Sequence, residues 1–206
     1  MNVKDLLHKA LSIILPIGMM MGSLCLTSCE ESTGLDEYAN WKERNIAYIH
    51  DVARMAEENV DGKWLKLLAF NLDSVDVAGR PVEHGVEDFV YCHVEESGVG
   101  SVHPLYTDIV SVNYRGRLIP TETSPYGEVF DESYKGAFNP EFNVPRSFRV
   151  DELIVGWSTA LMQMTKGDSW RIYIPAGLGY GAQQKGNIPA YSTLIFDLNL
   201  VDFNAE

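Results

Sequence analysis

Histidine and cysteine, the side chains that most readily ligate metals or form disulfides, are few in this sequence and widely spread. Beyond residue 28, the histidines have no metal-binding spacing, either with one another or with carboxylates. They are His50, His84, His93 and His103. We therefore predict that the protein binds no metal.

Cys29 closes the stretch Leu26-Thr27-Ser28-Cys29, which follows two lysines and an apolar run too short for a membrane-spanning helix. An aliphatic residue, two small residues and a cysteine resemble a bacterial lipobox, whose cysteine is acylated and becomes the first residue of the mature protein. We predict that residues 1–28 are a lipoprotein signal peptide and that Cys29 is the lipidation site. The alternative is a plain secretory signal with a chance cysteine. Cys25 is a poorer candidate because bulky Leu24 would precede the cut.

Cys92 is the one cysteine that remains after this processing, so the mature chain has no partner for an internal disulfide. It stands in DFVYCHVEE, which alternates like a strand. We expect Cys92 to be a small buried apolar side chain rather than a redox centre. The next residue, His93, should point to the other face and be exposed.

The formal net charge of −13, without any run of lysine or arginine, argues against binding to nucleic acid. Hydrophobic residues make up 46% of the chain, which is enough for a substantial core. Membrane attachment is therefore expected through the lipid on Cys29 alone. The lipobox implies a place in the bacterial cell envelope, and we expect the outer membrane, with the protein facing the periplasm or the cell surface.

A polar tether at residues 29–34 precedes a predicted helix from Leu35 to Asn59, which Asp61-Gly62 should end. Its apolar residues recur at three- and four-residue steps: Tyr38, Trp41, Ile49, Val52 and Ala56. The helix could pack on its own domain or serve as an arm for homodimerisation. We assign residues 35–83 to an N-terminal helical region and place the domain boundary near Glu83.

The rest of the chain, residues 84–206, reads mainly as strands rich in β-branched and aromatic residues. The strand segments are DFVYCHVEE, DIVSVNYRGRLI, SFRVDELI, SWRIYIP and STLIFDLNLVDF. One short helix is evident, in GWSTALMQMTKGD. The predicted class is α+β, in which an antiparallel sheet covers one apolar face with that helix.

Four segments in order carry a family resemblance: VNYRG, VFDES, LIVGWSTALMQMTKGDSWRIYIPAGLGYG and IPAYSTLIFDLNL. Together they resemble the FKBP family of peptidyl-prolyl isomerases over about Phe89 to Phe203. The resemblance implies a bent antiparallel sheet wrapped around one short helix, with an apolar pocket between them. It implies isomerase activity on X-Pro bonds of exported proteins, without a cofactor, and a pocket that could accept macrolide inhibitors.

The same resemblance assigns roles to nine residues of this sequence. Tyr114, Asp131 and Tyr180 would act at the twisted amide, with Asp131 held by Tyr114 and the Tyr180 hydroxyl acting as a donor. Trp157 would form the pocket floor, and Ile154 would offer its N–H to a substrate carbonyl. The remaining substrate-binding residues would line the walls and rim: Phe130, Leu153, Ile188 and Phe196. Taken singly, each would be an ordinary core aromatic or turn residue.

Three departures from the family pattern bear on substrate preference. The loop PTETSPYGEV is long, and so is KGAFNPEFNVPR, which leaves Phe142 and Phe148 as competing candidates for one aromatic of the pocket. Pro189 is followed by Ala190 rather than by a second proline. Two alternatives to catalysis also stay open: a chaperone or scaffold that binds proline-containing segments in the same pocket, and a structural lipoprotein that works through its N-terminal helix.

Overall fold

The strands form one antiparallel sheet because their apolar residues alternate along the chain and converge on a common core. The computed structural model of the protein describes residues 36–204. Within that range the sheet has seven strands: β1 Trp64–Leu68, β2 Phe89–Glu96, β3 Ile109–Arg117, β4 Val129–Glu132, β5 Arg146–Arg149, β6 Ser169–Ile174 and β7 Leu194–Asn204. Their order across the sheet is β1-β2-β6-β7-β3-β4, with β5 also paired to β3. The α+β prediction is confirmed.

Strand β7, which the sequence predicted as a strand, lies between β6 and β3, and its side chains alternate between the two faces of the sheet. Leu194, Phe196, Leu198 and Leu200 are buried, whereas Asp197 and Asn199 are only partly covered. The short helix α2, Val155–Leu161, packs on this inner side and contributes Trp157, Ala160 and Leu161 to the same core. The sheet and α2 therefore enclose the main hydrophobic core between them.

Gly156 is what lets α2 approach the sheet so closely. A Cβ atom built on Gly156 would lie 2.4 Å from the Ile174 side chain of β6. A larger residue here would push the helix away from the sheet, and the next residue, Trp157, would move with it.

The helix α1, Trp41–Glu58, begins later than predicted and covers a second face of the sheet. It ends at Glu58 because Asn59 takes a left-handed conformation (φ 39°) and returns its N–H to the Met55 carbonyl at 3.0 Å. Asp61-Gly62 therefore lies beyond the helix rather than ending it. Ile49, Val52, Ala53 and Ala56 pack against Tyr91 of β2, so the expectation of one covered face was incomplete.

Strands β1 and β4, which are both short, were not predicted from the sequence. Strand β1 pairs with β2 from Trp64↔His93 to Leu68↔Phe89, so the segment before Glu83 joins the same sheet as the rest. All described residues lie in one compact unit. The segment SFRVDELI is a strand only over Arg146–Arg149 and continues as a 3₁₀ turn, Val150–Glu152.

The signal peptide, the tether and Cys29 lie outside the described residues, as does Leu35. No helix between residues 36 and 204 combines the length and the apolar character needed to cross a bilayer.

Candidate active site

A cavity of about 640 Å³ opens between the inner face of the sheet, the start of α2 and the loop before β7. All nine residues predicted for the site line it, although they are spread over 83 positions of the chain. They are Tyr114, Phe130, Asp131, Leu153, Ile154, Trp157, Tyr180, Ile188 and Phe196. Phe148, Glu152, Lys185, Gly186 and Asn187 complete the lining.

Trp157 lies at the centre of the aromatic part of the lining. Its ring centroid is 5.1 Å from those of Tyr114 and Phe196 and 5.9 Å from that of Phe148, and all three contacts are edge-to-face. Such contacts hold the rings in place through their quadrupoles as well as through burial. The indole is therefore held rigidly, with only 4% of its surface exposed.

The Trp157 Nε1 atom is buried and has no hydrogen-bond partner within residues 36–204. A buried donor without a partner costs free energy, which folded proteins seldom tolerate.

Tyr114, Asp131 and Arg146 form a polar cluster on one wall. The Tyr114 hydroxyl donates to Asp131 Oδ2 at 2.7 Å and accepts from Arg146 Nη1 at 2.8 Å. Arg146 also reaches Asp131 Oδ1 at 3.4 Å and donates to the Glu132 carbonyl at 2.9 Å. Burial, and then the hydrogen bond to Asp131, raises the pKa of Tyr114, so this hydroxyl stays protonated. The expected contact between Tyr114 and Asp131 is present.

Within the described part of the chain, the Ile154 N–H and the Tyr180 hydroxyl are donors of the lining that have no hydrogen-bond partner, as is also true of the Trp157 Nε1. Ile154 immediately precedes α2, and its carbonyl accepts the N–H groups of Trp157 at 2.9 Å and Ser158 at 3.2 Å. Burial, and secondarily the charge of Asp131, raises the pKa of Tyr180, which therefore remains a neutral donor. Both donors are free to bind a carbonyl oxygen of a bound peptide.

A tight turn, Lys185–Ile188, forms the remaining side of the cavity. The backbone N–H groups of Lys185 and Ile188 each donate to the carbonyl of the other at 2.9 Å. Gly186 within this turn has φ 56°, a left-handed conformation that favours glycine. The turn brings Ile188, which is 5% exposed, over the aromatic rings.

The competition between the two phenylalanines is resolved in favour of Phe148. Phe148 lies in β5 and lines the cavity, whereas Phe142 stands in the preceding loop with 78% of its surface exposed. Phe148 stands in the predicted strand segment SFRVDELI whereas Phe142 precedes it, and this difference could have favoured Phe148. Arg146 and Glu152 were missed, because no pattern in one sequence links them to Asp131 or to the cavity.

The described residues contain no cluster of three or more His, Cys, Asp and Glu side chains suited to a metal ion. Cys92 is fully buried, as expected, and burial raises the pKa of its thiol. His93 is less exposed than expected. Its Nε2 lies 2.7 Å from Asp61 Oδ2, its Nδ1 lies 3.1 Å from Glu95 Oε1, and its ring meets Trp64 edge-on.

Residues 100–201 match the family model for FKBP-type peptidyl-prolyl cis-trans isomerase. Over 105 residues the chain is 41% identical to the Macrophage infectivity potentiator of Trypanosoma cruzi, a match that covers 50% of this chain and 47% of that protein. It is 39% identical to the FKBP-type peptidyl-prolyl cis-trans isomerase FkpA of Escherichia coli K12 over 109 residues, 53% of this chain and 36% of that one.

A third relative, the peptidyl-prolyl cis-trans isomerase Mip of Coxiella burnetii, is 40% identical over 109 residues, which are 52% of this chain and 42% of its own length. The chain thus spans less than half the length of these curated relatives.

Two crystal structures resemble the fold. A peptidyl-prolyl cis-trans isomerase from Pseudomonas syringae pv. tomato superposes with a TM-score of 0.53 at 26% identity, over 80% of this chain and 96% of that chain. FkpA from Escherichia coli superposes with a TM-score of 0.54 at 29% identity, over 80% of this chain and 62% of that chain. Both likenesses extend beyond the segment that matches the family model.

Proposed function

We propose that this chain, whose residues 100–201 belong to the FKBP-type peptidyl-prolyl cis-trans isomerase family, catalyses rotation about X-Pro bonds of exported proteins. The observation that carries the proposal is a cavity walled by aromatic rings, whose lining also offers the Ile154 N–H and the Tyr180 hydroxyl, two donors without a partner among the described residues. The rings suit a proline side chain, and the donors suit the carbonyls beside it.

The reaction needs little covalent chemistry. An X-Pro amide rotates over a barrier of about 18–20 kcal/mol because its C–N bond has partial double-bond character. Lowering that barrier by about 5–6 kcal/mol shortens a process of tens of seconds to milliseconds. The enzyme can do this by binding the twisted amide more tightly than either planar form.

Trp157 and the rings around it would hold the proline ring in a water-poor cavity. The charge separation of a twisted amide is smaller than that of a planar one, so it loses less on leaving water. The Ile154 N–H and the Tyr180 hydroxyl would steady substrate carbonyls, so that rotation occurs about one bond while the flanking chain is held.

Asp131 would act at the twisted amide, and its position depends on Tyr114 and Arg146. Tyr114 holds Oδ2 and Arg146 approaches Oδ1, so the carboxylate has a defined orientation beside the cavity. An oriented charge can favour the electrostatics of the twisted amide without the cost of reorganising solvent. Tyr114 thus acts both as a wall of the cavity and as the support of Asp131.

The proposed setting is the bacterial cell envelope. The lipobox supports acylation of Cys29 and removal of residues 1–28, and with them an anchor in the outer membrane. A homodimer through α1 would use outward side chains such as Ile46 and Met55, because the apolar stripe of α1 already packs on the chain's own sheet. Macrolide inhibitors would compete for the cavity that accepts proline.

Proline-limited refolding of an unfolded test protein tests the activity directly. The wild-type protein should accelerate the slow phase, and the double variant Asp131→Ala, Tyr180→Ala should lose most of that acceleration. Asp51→Ala, at an exposed position of α1, serves as the control and should leave it unchanged. A folded wild-type protein that binds proline peptides without accelerating refolding would instead be a chaperone or scaffold.

A further inference from the structure

The first turns of α1 are bonded to the segment that leads out of the Lys185–Ile188 turn. Trp41 is 6% exposed, and its Nε1 donates to Ser192 Oγ at 2.9 Å. Ser192 Oγ in turn donates to the carbonyl of Pro189 at 2.7 Å. Two hydrogen bonds therefore connect α1 to the residue that follows Ile188 in the cavity lining.

Asn45, one helical turn after Trp41, makes a second connection. It is 1% exposed, and its Oδ1 accepts the Thr193 N–H at 2.7 Å. Its Nδ2 donates to the Trp41 carbonyl at 2.7 Å, and its own carbonyl accepts the Thr193 hydroxyl at 3.3 Å. A buried amide with its donor and acceptor both used holds a single geometry, because any shift would leave a buried polar group unpaired.

The residue just before Ser192 has a strained backbone conformation, which the contacts from α1 help to hold. Tyr191 has φ 63°, a conformation that costs a non-glycine residue free energy and persists only where neighbours enforce it. The Lys42 ammonium lies 4.6 Å from the centre of the Tyr191 ring. Within the described residues, α1 is thus joined to three consecutive positions, 191 to 193.

The turn that precedes α1 contacts the loop between β3 and β4, on another side of the cavity. The Tyr38 hydroxyl donates to Glu128 Oε2 at 2.8 Å, and Thr121 Oγ1 donates to Glu37 Oε1 at 2.5 Å. The same carboxylate accepts a hydrogen bond from Thr123. This loop leads directly into β4, which carries Phe130 and Asp131.

We propose that Trp41 and Asn45 are positioning residues for the proline pocket: through Ser192 and Thr193 they hold the Ile188 side of the cavity in its substrate-binding geometry. The helix before the isomerase segment is then a working part of the site rather than a tether. This inference rests on the proposed isomerase function for its kinetic readout, and a second readout is independent of it.

The test compares Trp41→Phe and Asn45→Ala with Val52→Ala in the full-length protein. Trp41→Phe removes the indole donor but keeps an aromatic ring, and Asn45→Ala removes both side-chain bonds. Val52→Ala weakens the packing of the same helix on Tyr91 without touching the segment 188–193. It is therefore the control for a general loss of stability.

Two readouts are taken under conditions where every variant is folded. For a proline-containing test peptide, Trp41→Phe and Asn45→Ala should each raise KM about five- to tenfold while kcat changes less than twofold, because substrate binding suffers more than the chemistry. Amide hydrogen exchange should accelerate at Ile188 and at Thr193 in Asn45→Ala. Val52→Ala should alter neither.

An unchanged KM with unchanged exchange at Ile188 would overturn the inference. So would a Val52→Ala variant that reproduces both effects. If the wild-type protein proves inactive, the proposed function fails, while faster exchange at Ile188 together with weaker proline-peptide binding would still uphold the positioning role. If the wild-type protein is inactive and the amide of Ile188 exchanges in Asn45→Ala at the same rate as in the wild type, the positioning role is rejected.

Discussion

The hydroxyl of Tyr114 donates a 2.7 Å hydrogen bond to Asp131 Oδ2, across 17 residues of the chain. Tyr114 thus belongs at once to the aromatic wall around Trp157 and to the polar cluster that orients a carboxylate. In the proposed isomerase, the positions of the substrate proline ring and of the charge beside it would therefore both depend on Tyr114.

Tyr114→Phe should keep the aromatic wall and lose the link to Asp131. Asp131 would then keep only the 3.4 Å contact with Arg146 and the bond from the Glu132 N–H. We expect kcat/KM to fall about tenfold, which corresponds to roughly 1.4 kcal/mol, the value of one hydrogen bond to a charged group. The measurement is the isomerisation rate of a proline test peptide.

Tyr91→Phe is the matched control, because it removes a buried tyrosine hydroxyl, which donates to the Val86 carbonyl, far from the cavity. It should lower stability without lowering kcat/KM. Equal activity losses in the two variants would contradict the role assigned to Tyr114.

Gly116→Ala should distort the cavity without removing any of its residues. A Cβ on Gly116 would lie 2.6 Å from ring atoms of both Phe130 and Phe196, so at least one ring must move. We expect about 1–3 kcal/mol of destabilisation from overpacking, and weaker binding of proline peptides. Gly177→Ala is the control, since nothing lies within 4 Å of its Cβ. Wild-type peptide affinity in Gly116→Ala would argue against these rings as the binding wall.

Asp197→Asn should make stability less dependent on pH. Arg117 of β3 and Arg171 of β6 both bond to Asp197, at 2.5 Å and 2.6 Å. Burial alone would push the pKa of Asp197 upward, but the hydrogen bonds from Arg171 and Arg117 outweigh it, and the folded-state pKa lies below its ordinary value. Since the pKa is depressed, the stabilisation is present above the unfolded value, about 3.9, and is lost as the pH falls through the folded value.

Urea unfolding at several pH values tests this relationship. At pH 7 the variant should be less stable than the wild type by about 2 kcal/mol, and the difference should shrink below about pH 4. Asp51→Asn, which breaks an exposed pair with Arg54, should change nothing measurable. A stability difference that stays constant from pH 7 to pH 3 would refute the assignment.

Cys29→Ser should release the protein from the membrane. Without the thiol no acyl chain can be attached at this position, and residues 36–204 contain no helix that could cross a bilayer in its place. The measurement is incorporation of labelled fatty acid together with partition into detergent. Cys25→Ser should leave both unchanged. Labelling that persists in Cys29→Ser and disappears in Cys25→Ser would move the anchor to Cys25.

Part of the site could be read from local regularity in the sequence, and the rest came from the resemblance to the FKBP family. The two-residue period of β7 indicates that Phe196 lies on the inner face, whereas the resemblance, carried by four segments in order, assigned the nine predicted residues that line the cavity. Helix α1 was recognised as amphipathic from its own periodicity, although its start was placed six residues early. Local periodicity is a property of neighbouring residues, so a single chain is enough to show it.

The tertiary structure alone decided which distant residues meet. Asn45 and Thr193 are bonded across 148 residues, and Trp41 and Ser192 across 151, which no periodicity encodes. The tertiary structure also placed Phe148 rather than Phe142 in the cavity, and it left the Ile154 N–H and the Tyr180 hydroxyl without partners among residues 36–204. The physical reason is that pairing between strands and the packing of α1 on the sheet depend on the whole chain, whereas the face on which a residue lies depends on its immediate neighbours.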